Sequence, residues 1–442
     1  MSRRNITLLV FLGLIMAGLL ATPTILRAVP PRYLARLPKP IQDIGAPPQT
    51  VAVLPTAAAT ANVALLLNTA TAVPLPPTHT PMPITNQSAT ATPPASPTLP
   101  PTYTPPPPTP TQVPIPAAAR LEGITHQFQE WNNCGPATLA MTLSYFGVRT
   151  NQKETAVILK PSPEDRNVSP AEMVAYVNNH TDLQALARAN GDPYTIRRLI
   201  ANGFPVILEI GIDPPGEFRW MGWYGHYMLV VAYDDARQQF WTYDSWLGTS
   251  DEPLKNADAD GRDLSYTDLA AYWPHFNRSY IVLYEPARAA EVADIIGPNM
   301  DDATMWQNAL QTVRAETAAA PENAFNWFNL GTIYNALGQY EEASAAYDQA
   351  RAIGLPWRML WYQFGPYEAY YQSGRYEDVI VLADVTLENR PYFEESFYYR
   401  GLAEEALGNL DTAQQDLLQA AAFNPNFTPA ASALSEIQNG GS

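Results

Sequence analysis

Apolar and polar positions alternate in four distinct ways along the chain. The first is an unbroken apolar run from Ile6 to Ala21, preceded by Arg3 and Arg4. Its length suits a signal-peptide core and is slightly short of the ~20 residues a membrane-spanning helix needs. Residues 1–29 are therefore expected to form a signal peptide or an N-terminal membrane anchor, which predicts an extracytoplasmic protein, secreted or membrane-anchored. From 30 to 119 no period persists. Between Asp43 and Arg120 there is no charged side chain, and Pro, Thr and Ala dominate. Such a tract favours polyproline II, builds no core and predicts a disordered linker. The stretch from Val51 to Val73 is more apolar, with Leu65-Leu66-Leu67, but shows no helix cap and no clear period.

The third regime, 120–290, mixes both periods. Pro136 suits the first turn of a helix and Gly147 its stop, which predicts a helix from Cys134 to about Phe146. The run Tyr227-Met228-Leu229-Val230-Val231-Ala232-Tyr233 reads as a buried strand, Asp234-Asp235 as a turn, and Phe240 to Ser245 as a return strand. The fourth regime, 296–438, is helical throughout and repeats. Gly338, Gly374 and Gly408 recur at steps of 36 and 34 residues, with aromatic and small residues between them in register. Three copies, near 324–357, 360–392 and 394–427, resemble tetratricopeptide repeats. Small residues such as Gly331, Gly401, Ala343 and Ala413 let helix pairs approach, and aromatics fill the gaps. A protein partner on the repeats is a natural expectation of such an array.

The net charge of −17 argues against nucleic acid as a partner, and against membrane contact other than through the N-terminal helix. The chain holds a single cysteine, so no internal disulfide can form. A lone thiol in an exported chain is either a small buried hydrophobe or a retained reactive group. Cys134 precedes Gly135-Pro136, at a helix start, where the dipole and free N–H groups favour a thiolate.

A thiolate nucleophile needs a base. Of the five histidines, His79 lies in the linker, His126 just upstream of the cysteine, His180 at a helix end and His275 in a Trp-Pro-His-Phe turn. His226 opens the buried strand, after Gly225. Asp244 ends the return strand, where it is suited to orient an imidazole. The block Gln129-Glu130-Trp131-Asn132-Asn133-Cys134-Gly135-Pro136-Ala137-Thr138, the Gly-His-Tyr strand and the Tyr-Asp-Ser strand together resemble the double-glycine-leader, bacteriocin-processing peptidases. These are papain-like enzymes, family thirty-nine of the cysteine peptidases, and the standalone peptidase-like branch is the nearer match.

That resemblance implies an α+β papain-like domain, followed here by the all-α repeat solenoid. It implies Cys134 as nucleophile, His226 as general base and acid, Asp244 as orienter, and a glutamine in the oxyanion hole. Gln129, five residues before the cysteine, is the choice for that role, with Gln127, seven before, as the alternative. The implied substrate is a peptide or protein. No cofactor is implied, and no Gly-x-x-x-x-Gly-Lys-Ser/Thr loop points to ATP. Asn256 to Asp263 matches the first half of a calcium loop, yet Thr267 stands where a bidentate Glu belongs, so an acidic turn before a helix from Tyr266 to Tyr272 is expected instead of a metal site. The other class of function open to this sequence is a catalytically silent papain-like domain acting with the repeats as a cell-surface binding scaffold.

Overall fold

In the computed structural model the described residues are 114–165, 168–213, 222–252, 254–256 and 260–440, with short upstream pieces at 22, 24–26, 29, 41, 44, 53–57 and 66–67. The expected apolar segment from Ile6 to Ala21 and most of the linker lie outside them. Among the described residues no helix is long and apolar enough to cross a membrane.

A sheet-containing domain comes first. Its elements in chain order are β1 (Ala118–Arg120), α1 (Cys134–Tyr145), α2 (Gln152–Leu159), α3 (Pro170–His180), β2 (Gln184–Arg188), α4 (Pro193–Ala201), β3 (Val206–Ile212), β4 (Tyr224–Asp234), β5 (Gln239–Asp244), β6 (Arg262–Ser265), α5 (Tyr266–Tyr272) and β7 (Tyr280–Tyr284). The strands form one antiparallel sheet in the order β2-β7-β3-β4-β5-β6, with β1 pairing on β4. Helix α1 is buried from Gly135 to Leu143, which is why its sequence is apolar all round rather than striped. Leu139, Met141 and Leu143 pack with Tyr227, Leu229 and Val231 of β4 in one core cluster. The alternate residues Met228 and Val230 are buried as well, so β4 is covered on both faces and reads as a continuous apolar run. Helix α3 starts on a capping box between Ser169 and Glu172, with Pro170 in the first turn.

After the linking helix α6 (Ala289–Ile296), the remaining elements are helical: α7 (Asp302–Ala319), α8 (Ala324–Ala336), α9 (Tyr340–Ile353), α10 (Gly365–Gln372), α11 (Tyr376–Asn389), α12 (Glu394–Ala406), α13 (Leu410–Phe423) and α14 (Thr428–Gly440). They pair as α8/α9, α10/α11 and α12/α13. Gly338, Gly374 and Gly408 end the first helix of each pair with φ of +71°, +72° and +85°, the left-handed region that glycine reaches without strain. A Cβ on Gly331 would lie 2.7 Å from the Tyr347 ring, so the close approach of α8 and α9 requires glycine there.

The repeats pack directly on the sheet domain. Trp223 and Phe276 belong to the same apolar cluster as Phe328, Leu330 and Leu360. His275 stacks on Phe325 at 3.8 Å between ring centroids, and Asn329 Nδ2 donates to the Pro274 carbonyl at 2.5 Å. Arg278 and Glu316 form an ion pair across the same seam.

One expectation fails locally. Parts of the stretch assigned to disordered linker are embedded in the repeats: Leu54 is 1% exposed and Leu66 is buried too. The Leu54 N–H donates to the Leu355 carbonyl at 2.9 Å, and Arg351 Nε donates to the Pro55 carbonyl at 2.6 Å. The Leu66 carbonyl accepts from Tyr334 Oη at 2.9 Å and Arg314 Nε at 3.1 Å. The Pro/Thr composition of the whole tract hides these leucines, which have enough apolar surface to be held once a groove with backbone-seeking donors is present.

Replacing Leu54 with Ala is expected to destabilise the folded unit by about 2–5 kcal/mol, as for other buried leucines, and to lower the midpoint of thermal unfolding. An unchanged midpoint would show that this segment does not pack on the repeats.

Candidate active site

The helix start places the thiol. The loop before α1 reverses at Asn132, whose φ is +52°. Asn133 Nδ2 donates to Gln152 Oε1 at 3.2 Å, and Lys160 Nζ donates to the carbonyls of Trp131 and Asn132 at 2.9 and 3.0 Å. Cys134 is the first residue of α1 and half-buried. Its N–H, in the first turn, has no acceptor within the helix.

The hairpin β4–β5 brings in the other two groups. His226 lies opposite Ile210 of β3, and Asp244 lies opposite Met228, two residues along β4 from His226. Residues two apart share a face of the sheet, so His226 and Asp244 meet on one side. A β-bulge between Val230 and Ala232 sets this register. Without the extra residue Asp244 would oppose Leu229, and its side chain would point to the face packed on α1.

His226 Nε2 donates to Asp244 Oδ1 at 2.8 Å, and both side chains are almost wholly buried. The same oxygen accepts the backbone N–H groups of Trp246 at 2.7 Å and Leu247 at 2.9 Å. Asp244 thus closes its own turn and holds the imidazole at once. With Nε2 engaged, Nδ1 is the ring nitrogen left available in the cleft that His226 shares with Cys134. Trp246 stands edge-on to the imidazole at 6.4 Å.

Electrostatics favour a charged pair. Burial alone would raise the thiol's pKa, but the hydrogen bond and positive charge of His226, the Tyr227 backbone N–H and the Lys160 ammonium together hold Cys134 below the ordinary value. Burial would lower His226, yet the Asp244 carboxylate and the thiol push it up to about 10. Asp244 is kept below the usual carboxylate range, because His226 and the two backbone N–H groups outweigh its burial.

Both glutamines can be placed. Gln129 is half-buried; its N–H donates to the Ser245 carbonyl and its Oε1 accepts from Ser245 Oγ at 2.9 Å, which leaves the amide Nε2 without a partner among the described residues. Gln127 uses both ends elsewhere, on the Thr150 carbonyl and the Gln152 N–H. Asn256 donates to His126 Nδ1 at 2.9 Å, while residues 257–259 of the acidic turn lie outside the described residues. Among the described residues no cluster of acidic, histidine and cysteine side chains is arranged to hold a metal.

Several contributors carry no sequence signal. His126 Nε2 donates to the Asp244 backbone carbonyl at 2.8 Å, bracing the strand end. Lys160 and Trp246 act only through the fold. A narrow cleft beside Cys134 and His226 is lined by Gly135, Val168, Glu209, Gly225 and Tyr227, and by Tyr362 from the repeats. Glu209 pairs with Tyr227 across β3 and β4. Burial, with the charge of Cys134 adding to it and a hydrogen bond with Tyr227 opposing it, pushes the Glu209 carboxyl up to about 8.

Comparison with known proteins agrees with this architecture. Residues 121–280 match the family described as "Peptidase_C39 like family", and residues 326–350 match a tetratricopeptide repeat. Residues 121–280 therefore form a domain similar to that peptidase-like family, followed by a helical region with a tetratricopeptide repeat at 326–350. It is similar to a crystal structure from Bacillus anthracis described as a C39-like peptidase, at 14% identity and a TM-score of 0.30, over 38% of this chain and 97% of that one. No curated protein matches the chain.

The raised Glu209 carboxyl gives a pH-dependent prediction. A carboxyl whose folded pKa lies above its unfolded value of 4.5 supports folding while protonated and loses that support as the pH climbs through about 8. Glu209→Gln, neutral throughout, is expected to melt close to the unaltered protein near about pH 5 and several degrees above it near about pH 9. A melting difference that stays constant over that range would contradict the buried, protonated carboxyl.

Proposed function

We propose that this chain is a thiol-dependent peptidase in which Cys134 is the nucleophile, His226 the general base and acid, and Asp244 the group that orients His226. The observation that carries the reading is that Cys134, at the start of a helix, lines one cleft with His226, whose imidazole is hydrogen-bonded to the buried Asp244. In this reading the thiolate attacks a peptide carbonyl carbon, forming a C–S bond. The carbonyl π electrons move onto oxygen, where the Cys134 N–H and the Gln129 amide N–H groups are suited to receive them. Collapse of that intermediate breaks the C–N bond as His226 Nδ1–H delivers its proton to the departing amine. Water, deprotonated by the now neutral imidazole, then hydrolyses the thioester and restores the thiolate.

Gln129 Nε2 has no partner among the described residues, which supports its assignment over Gln127, whose amide is satisfied at both ends. The uncharged tract and the N-terminal apolar run support an extracytoplasmic setting. The repeats suit a protein partner, and the substrate of this reading is a peptide or protein.

The test is cleavage of a peptide library by the full chain and its variants. Cys134→Ala is expected to abolish cleavage, and Asp244→Asn to lower kcat by about a thousandfold or more. Gln129→Ala should lower kcat by about a hundredfold, the effect of one oxyanion donor, while Gln127→Ala leaves it nearly unchanged. Cleavage by Cys134→Ala at the unaltered rate would overturn the proposal.

A further inference from the structure

The repeats reach into the cleft at Cys134. Tyr362 lies in the connection between α9 and α10, just after the short 3₁₀ turn from Trp357 to Trp361, and lines the same cleft as Cys134 and His226. Its ring lies over Gly225, the residue before His226: a Cβ at Gly225 would come within 3.1 Å of Tyr362 Cγ and Cδ1. The same Cβ would lie 2.7 Å from Phe276 Cζ, so glycine at 225 makes room for Phe276 and lets the Tyr362 ring come close to β4.

The ring is seated from several sides. Trp223 meets it edge-on at 6.0 Å and Phe276 at 6.1 Å. Arg358, one turn earlier, donates from Nη1 to the Trp223 carbonyl at 3.2 Å, with its guanidinium 5.9 Å from the Tyr224 ring and 5.3 Å from those of Trp357 and Trp361. Three consecutive residues leading to His226, namely Trp223, Tyr224 and Gly225, are thus held by side chains of the repeats. Packed aromatic rings of this kind move little without neighbours moving too.

We propose that Tyr362 is a specificity-determining residue, through which the repeat array sets the bulk of the group that can reach Cys134. The proposal rests on Cys134 being the reactive thiol and extends it: the repeats are one wall of the cleft as well as a surface for partners. A peptide that reaches Cys134 must enter a cleft whose lining includes the tyrosine ring, Gly135 and Val168. Any partner that displaces the Trp357–Tyr362 connection would widen the same opening.

The test uses the full chain and needs no substrate. Cys134 is the single cysteine, so every thiol adduct reports on it. Its alkylation rate is measured with iodoacetamide, a small reagent, and with N-phenylmaleimide, a bulky one. Tyr362→Ala and Tyr362→Leu are expected to raise the ratio of bulky to small rates by roughly tenfold or more, while Tyr362→Phe keeps the ratio of the unaltered protein. Tyr362→Leu guards against loss of folding, since it trims the ring but retains an apolar contact on Gly225. General loosening would speed both reagents together and leave the ratio unchanged. An unchanged ratio in both trimmed variants, or an equal rise in Tyr362→Phe, overturns the proposal. Peptide cleavage is read separately: its absence from the unaltered protein would count against the peptidase reading while leaving the alkylation ratio as evidence on Tyr362.

Discussion

The hydrogen bond from His226 Nε2 to Asp244 Oδ1, 2.8 Å long and shielded from solvent, organises everything else at the site. A carboxylate and an imidazole removed from water each lose several kcal/mol of solvation, and only close mutual contact with further donors offsets that loss. Here the offset comes from two backbone N–H groups on the same carboxylate oxygen and from the charge of Cys134 acting on the imidazole. The imidazole is consequently held in one orientation in the cleft it shares with Cys134, with Nδ1 as its remaining nitrogen. The sulfur, for its part, sits where a helix start, a backbone N–H and a buried ammonium all favour negative charge. Each member of the series depends on the next being charged.

That arrangement would be of little use on a mobile support, and the packing shows how it is steadied. Strand β4 is buried on both faces, with α1 against one of them. The strand's first residues are clamped by aromatic and guanidinium groups from the helical region. The helical region is itself stitched to short pieces of the upstream chain through Leu54, Pro55 and Leu66. Sheet and repeats share one apolar cluster, so a change in the repeats is mechanically close to the cleft.

Much of this was legible in the sequence because it rests on local rules. Gly135-Pro136 marks a helix start, the Tyr227 to Tyr233 run marks a strand buried on both faces, and the spacing of Gly338, Gly374 and Gly408 marks the paired helices. What was not legible depends on register or on long-range packing. Whether Asp244 faces His226 is decided by one extra residue between Val230 and Ala232, and a period-two pattern in a fully apolar strand cannot reveal a bulge. Lys160, Trp246 and His126 are 26, 112 and 8 residues from Cys134 in the chain, and only the fold gives them a place around it. Leu54 and Leu66 were masked by the composition around them, since a few buried leucines leave little trace in a proline- and threonine-rich tract. Tyr362 reads as one more repeat aromatic until the two regions are seen together.

The central claim is that Cys134 and His226 form a thiolate–imidazolium pair. The most direct measurement is the pH dependence of Cys134 alkylation by iodoacetamide, followed from about pH 5 to about pH 10 in the unaltered full chain and in His226→Ala. An ordinary thiol alkylates about tenfold faster per pH unit until its pKa near 8.5 is passed. The account predicts that the unaltered protein reaches its plateau at a lower pH than an ordinary thiol, and that His226→Ala moves the rise back to the ordinary range. A steep rise through about pH 8.5 in the unaltered protein, the same as in His226→Ala, would contradict it.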